Sequence, residues 1–405
     1  MLLGGPPQFE ARQSAALIMT TKFDLRFDFS VYNSEPVMRS LVALGATPAT
    51  LAAAFFVLVS LTLTGGAILS TPGHPGPQFL KYLSNVSWSI PMLIIWPLII
   101  GLILHFYTEI PRLFLEMTKF TDDTQYEKYT RFATWIENRF NNYIARLVIL
   151  TIVLTLNGVY YYQLLNSPEH SWISDGTLLR DKLGTERGFS IVGLYSALLQ
   201  TLLSYLMLNL TWTSLIFAWA LQQYFNSYHF EINVEPLHPD RCCGLRRIGD
   251  VAMIVNIILF LFGIYLSMKV IDKIVVQGYP LWSDIGNPTL LVGYALLAPL
   301  MFFLPLNAAH KVMRDEKQRF LRIVSNTHTA LIHRLESNFS TDLVADIAKI
   351  GALYTELERR IPVWPFNFRS LESFFGTIIV PVLPIILPFL IKFLVDLTAS
   401  LLQRT

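Results

Sequence analysis

Charge is what this sequence has least of. Only 15% of its 405 residues are Asp, Glu, Lys or Arg, against about 25% in an ordinary soluble domain. That shortage excludes a disordered chain, which needs much charge and little apolar surface, and argues against a cytosolic enzyme. Cysteine is scarcer still. The two present, Cys242 and Cys243, are adjacent, and neighbours seldom meet disulfide geometry with each other, so a disulfide scaffold is excluded. A net charge of +2 is too small to argue for a nucleic-acid partner. There is no Walker loop, HExxH motif, GxSxG elbow or paired-cysteine redox motif. No acid–base or nucleophile set points to an enzyme, and no cofactor is expected. What the chain does have is apolar surface: 53% hydrophobic residues and a mean hydropathy of +0.46. This predicts an all-α polytopic membrane protein embedded in a lipid bilayer.

A charge at mid-bilayer costs about 2.5–3.5 kcal/mol on the insertion scale, so charge-free runs bound the spans. They are 40–80, 82–108, 147–168, 188–230, 251–268, 285–310 and 373–391. Each can hold the ~20 apolar residues that cross a ~30 Å core. The run 188–230 has no Gly or Pro between Gly193 and Phe230, so it reads as one long tilted helix. About seven transmembrane helices are expected, or six if the last re-enters. The connections assigned to one side carry 23 Lys plus Arg and those on the other carry 7. By the positive-inside rule the N-terminus is cytoplasmic. Trp88, Trp172 and Trp282 then lie at the outer ends, and Trp135 and Trp364 near the inner ones, as in aromatic belts. The resulting division is a cytoplasmic segment 1–46, a six-helix region 47–310 with cytoplasmic connections 109–146 and 231–250, a cytoplasmic hairpin 311–370, and a last helix and tail 371–405. The first long apolar run starts after Arg39, too late for a cleaved signal, and Met19 is an alternative start.

Two cytoplasmic patterns stand out. Phe23, Leu25, Phe27, Phe29 and Val31 alternate over 22–31, as do Phe230, Ile232 and Val234. Period two predicts strands, which either pair as a small sheet or lie extended at the interface. Further on, Met313, Phe320, Val324, Leu331 and Leu335 step by sevens and fours, and Leu343, Ile347, Ile350, Tyr354 and Leu357 by fours and threes. These heptad-like seams predict that the sixth span continues into the cytoplasm, turns near Asn338-Phe339-Ser340 and returns as an antiparallel partner. Ser340 or Thr341 can cap the second helix. The hairpin either packs as a small domain, oligomerises the chain, or binds a cytoplasmic protein.

The most unusual segment is Pro236-Leu237-His238-Pro239-Asp240-Arg241-Cys242-Cys243-Gly244-Leu245. Its prolines suppress helix, Asp240 can accept backbone N–H groups at the start of the fifth helix, and Gly244 permits a tight turn. Arg241, Arg246 and Arg247 sit where acidic headgroups would be. A structural turn leads, ahead of a ligand or headgroup site. A metal site on His238, Asp240 and the thiols is weakest, because no second ligand pair accompanies them. Ahead of the last span, Trp364-Pro365-Phe366-Asn367 reads as an interfacial anchor. His-Pro-Asp-Arg followed by Gly-Leu, together with this Trp-Pro-Phe-Asn, resembles a set of uncharacterised bacterial multi-pass membrane proteins. The resemblance implies a bacterial inner membrane and no particular activity. Small residues and glycine more often stand there in place of the two cysteines.

Within the bilayer, Gly193, Ser196, Gln200, Ser204, Met207, Thr211, Ser214 and Ala218 form one stripe on the fourth helix. Small and hydroxyl residues let helices pack closely, and the same stripe could line a path. Pro299 and Pro305 on the sixth span, and Pro381, Pro384 and Pro388 on the last, are candidate hinges. No acid or base lies deep in any span, which argues against a proton-coupled pathway. The leading reading is a pore or channel-like protein for ions or small solutes, gated by its hairpin and able to assemble as a homo-oligomer. The alternative is a membrane-anchored sensor or scaffold acting through its hairpin.

Overall fold

The structure, a computed structural model, describes residues 29–31, 33, 35–69, 86–117, 123–166, 179–228, 230, 240, 242–272 and 286–365. Its helices are α1 (Pro36–Ala43), α2 (Pro48–Leu69), α3 (Val86–Ile90), a π-helical turn (Pro91–Ile95), α4 (Trp96–Met117), α5 (Asp123–Phe140), α6 (Tyr143–Asn166), α7 (Arg180–Leu183), α8 (Ile191–Asn226), α9 (Arg246–Ile271), α10 (Gly286–Ser337) and α11 (Thr341–Arg360). Five stretches are long and apolar enough to cross a membrane: Ser87–Met117, Thr124–Asn166, Ile191–Asn226, Arg246–Ile271 and Leu290–Ser337. Pro48–Thr62 is a shorter apolar helix. The first six charge-free runs therefore each contain a helix. The seventh, 373–391, with Pro381, Pro384 and Pro388, lies outside the described residues.

The central element is α8, which packs against α2, α4, α5, α6 and α10. Its 36 residues rise about 54 Å at ~1.5 Å each, well beyond a ~30 Å hydrocarbon core. It is one helix, as the lack of Gly and Pro implies. Ser190 caps it, its hydroxyl accepting the Gly193 N–H at 2.9 Å. The π turn ahead of α4 also has a sequence cause. Pro97 would press its ring on the carbonyl four residues back, and the helix widens so that the Trp96 N–H reaches the Pro91 carbonyl instead. Pro299 and Pro305, by contrast, sit inside a continuous α10. Each removes one N–H from the ladder without ending the helix.

One end of the bundle is filled with aromatic rings. Phe132 packs edge-on against Phe114 at 5.2 Å and Tyr224 at 5.4 Å, and Tyr224 stacks on Phe230 at 4.5 Å. The expected β-pairing lies mostly outside the described residues, among which no strand occurs. Of 22–31 only 29–31 are described, and Ile232 and Val234 fall outside. Phe29 and Val31 are buried, with Phe29 stacked on Phe140 at 6.4 Å. Side chains from the last turn of α5 and the α5–α6 turn satisfy the backbone between them. The Ser30 N–H donates to Glu137 Oε1 at 3.4 Å, and Asn141 Nδ2 donates to the Ser30 carbonyl at 2.6 Å. Phe29 and Val31 are thus enclosed as side-chain plugs, and the backbone between them is satisfied by side chains.

The hairpin forms as the seams predict. α10 runs 52 residues, the chain turns over Asn338-Phe339-Ser340, and α11 packs back along it. Ser340 takes the N-cap position, although its side chain makes no cap hydrogen bond. Met313 is fully buried at the base, while Phe320, Val324, Leu331, Leu335, Leu343, Ile347, Ile350 and Leu357 are half-buried along the seam. At the base His310 stacks on Trp364 at 4.0 Å and its Nδ1 lies 2.5 Å from the Val363 carbonyl. Trp364 is therefore anchored on the protein itself.

Candidate functional site

The stripe on α8 is inward-facing. Gly193, Ser196 and Ser214 are buried, while Gln200, Ser204 and Thr211 are half-buried. Two hydroxyls bond to their own helix: Ser204 Oγ donates to the Gln200 carbonyl at 2.9 Å and Thr211 Oγ1 to the Met207 carbonyl at 3.0 Å. Gln200 reaches across to α9, its Nε2 donating to the Tyr265 hydroxyl at 3.0 Å. Ser196 Oγ, Gln200 Oε1 and Ser214 Oγ are buried without a hydrogen-bond partner. The stripe is thus largely enclosed by the bundle, with three polar atoms left over. At the same end of α9 as Tyr265, Lys269 lies over the rings of Trp88, at 5.0 Å, and Tyr265 itself. Trp88 is thus engaged inside the bundle.

A second polar group sits on another face of α8, and sequence reading did not find it. Glu35 and Arg146 are almost wholly enclosed, at 0% and 3% exposure, with 3.9 Å between their charged atoms. Arg146 also donates to Asn209 Oδ1 on α8 and to the Phe140 carbonyl at 3.1 Å. Tyr107 of α4 and Thr213 of α8 are fully buried beside them. Glu35 occupies the N-cap position of α1 but makes no cap hydrogen bond. Burial raises its carboxyl above the ordinary value, against the pull of Arg146 and the nearby Tyr107 hydroxyl. This cluster joins α1, α4, α6 and α8 at a single point. Arg146 lies one residue before a charge-free run, so a rule that looks for charge-free stretches passes over it. Asn209, a polar residue inside an apolar run, was the one available signal.

The proline- and cysteine-containing loop is partly described. His238 and Arg241 fall outside the described residues. Asp240 Oδ1 accepts the N–H of Cys242 at 2.8 Å and of Gly244 at 3.1 Å, which fixes the turn ahead of α9. Cys243 and Gly244 both take positive φ, 57° and 83°. The expectation that Asp240 caps the helix is thus modified, since it holds the loop and Leu245 takes the N-cap position. Both thiols are buried and are pushed up to about 11, first by burial and then by the Asp240 charge. At neutral pH they are protonated and poor nucleophiles. Among the described residues no group of three His, Cys, Asp or Glu could hold a metal. Arg247 is committed to protein partners, Glu116 and Glu109, the latter at 2.8 Å. It ties α9 to α4 and is not presented to headgroups. A cleft of about 520 Å³ opens beside it, lined by His105, Glu109, Asp240, Gly244, Arg246, Arg247 and Asp250 among others. Its charges are mixed and select no ligand of one sign.

No protein family, curated protein or solved structure matches the chain.

Proposed function

We propose that the chain is a seven-span protein of a bacterial inner membrane, with a cytoplasmic N-terminus, that serves as a membrane-anchored sensor or scaffold. The α10–α11 hairpin is its working part. One observation carries this reading: beyond Met313 no residue of α10, and no residue of α11, is buried. A long two-helix arm that adds so little to the core has its use in what it touches. The basic bias of the connections and the resemblance to bacterial multi-pass proteins support the placement. The test is site-specific photocrosslinking in cells from Phe339 and Val344 on the arm, with Leu154 on α6 as the lipid-facing control. A protein adduct of fixed mass from the arm positions alone is expected. Arm and control positions giving the same products would overturn the reading.

The pore reading keeps one specific support, the unpartnered polar atoms of Ser196, Gln200 and Ser214 along α8. Reconstituted protein that passes ions, with flux altered by Gln200→Leu and Thr211→Leu, would favour it. Flux equal to that of empty liposomes would remove it.

A further inference from the structure

A second groove lies between the C-terminal turns of α5 and α8. It measures about 390 Å³ and is lined by Trp135, Arg139, Trp219, Gln223, Ser227 and Tyr228. Trp135 and Arg139 are four residues apart on α5, and Trp219 and Gln223 four apart on α8, so each pair shares one helix face. The two indoles cross at 62° with centroids 4.8 Å apart. The Arg139 guanidinium lies 5.3 Å over the Trp219 ring, and no carboxylate among the described residues pairs with it. The contrast with Arg247, held by two glutamates, is direct. Every polar side chain lining the groove can donate a hydrogen bond, namely two indole N–H groups, an amide, two hydroxyls and a guanidinium. None carries a negative charge. A concave surface with one fixed cation, several donors and no acid selects an anion.

We propose that this groove binds the phosphodiester of an anionic phospholipid. Arg139 would meet the phosphate oxygens in a forked contact, with Gln223, Ser227 and Tyr228 as further donors and the indoles covering the glycerol. The lipid source is favoured over free phosphate by position. Four residues after Arg139 the chain enters α6, whose apolar Ile144, Leu147 and Val148 are exposed. The cation therefore stands at the polar end of an outward-facing apolar helix, flanked by tryptophans, where headgroups lie.

The experiment uses full-length protein, delipidated in a neutral detergent, and measures binding of phosphatidylglycerol and phosphatidylcholine by native mass spectrometry. Quenching by bromolipids in nanodiscs of one part phosphatidylglycerol to four of phosphatidylcholine gives a second readout. Phosphatidylglycerol should bind preferentially, and Arg139→Gln should weaken it about tenfold or more, the size of a charge-assisted contact. Arg131→Gln, on an exposed site of the same helix, should leave binding unchanged. Trp219→Phe should remove part of the bromolipid quenching. Equal binding of the two lipids, or an Arg139→Gln protein that binds as wild type does, overturns the proposal. So does inorganic phosphate binding the groove as tightly as the lipid, which would make the site one for a free anion.

Discussion

The bundle and the arm are built from the same helical material but treat charge in opposite ways. In the bundle, Arg146 and Glu35 are enclosed together, and Arg146 is further held by Asn209 and a backbone carbonyl. On the arm, the ion pairs among the described residues are local, each joining near neighbours on one helix, and Lys349 with Asp346 and Arg360 with Glu356 are exposed. Enclosed charges in a low-dielectric site interact strongly and lose much if one partner goes. Exposed pairs on one helix are screened and contribute little. The enclosed charges are therefore concentrated where α1, α4, α6 and α8 meet, while the arm's two helices are joined mainly by their apolar seam.

The sharpest way to break this contrast is at Arg146. Arg146→Met removes the partner of a buried carboxylate and should destabilise the bundle by about 3–5 kcal/mol, seen as a large fall in thermal midpoint in detergent. Adding Glu35→Leu should recover part of the loss, because no charge is then left alone. The recovery stays incomplete, since Asn209 and the Phe140 carbonyl still lack their donor. A single mutant as stable as wild type would show that the pair does not hold the joint.

Packing supplies the next test. Gly101 on α4 faces α2 so closely that an added Cβ would stand 2.7 Å from the Pro48 carbonyl oxygen and 3.1 Å from Ala52 Cβ. Gly101→Ala should cost about 1–3 kcal/mol as the helices move apart. The same change at Gly351 on α11, where the nearest atom is His328 Nε2 at 3.9 Å, should be close to neutral or stabilising. Chemical or thermal unfolding of the two variants side by side checks the difference.

A smaller effect follows from Glu35. Its folded-state carboxyl is raised above the ordinary value of 4.5, so between that value and the folded one the native state binds more protons than the unfolded. Stability contributed by this group is complete below about 4.5 and is lost as pH rises through the folded value, at no more than about 1.4 kcal/mol per pH unit. Glu35→Gln should flatten this part of a thermal-midpoint-against-pH curve, and an unchanged curve would assign the slope to another group.

How much of this was legible before the structure differs between the two regions. Five apolar helices long enough to span were readable because a charge in the bilayer is costly, so charge-free runs carry the signal directly. The arm was readable because Leu343, Ile347, Ile350 and Leu357 repeat at helical spacing, and Ser340 marks where the second helix starts. The joint was not, because Glu35 and Arg146 lie far apart in the chain and each reads alone as an ordinary boundary charge. Nor does local pattern reveal that Phe29 and Val31 fill a pocket, since a plug and a strand share the same alternation. The loop at Asp240 was half legible: its turn-forming residues predict a turn, but whether Arg247 meets a headgroup or two glutamates depends on where α4 ends.

The smallest predicted effect completes the contrast from the side of the arm. Lys349 and Asp346 lie 3.3 Å apart with most of each side chain in water. Lys349→Ala gives up a screened interaction and replaces lysine by a stronger helix former. The change in stability should stay within about 1 kcal/mol, and amide exchange across α11 should hardly move. Ile347→Ala, two residues away on the seam that faces α10, should instead speed exchange along α11 while leaving α4 and α8 protected. If the lysine variant loosened α11 as much as the isoleucine variant, the arm would be held by its ion pairs. Its apolar seam would then be secondary, and the division of labour between bundle and arm would have to be redrawn.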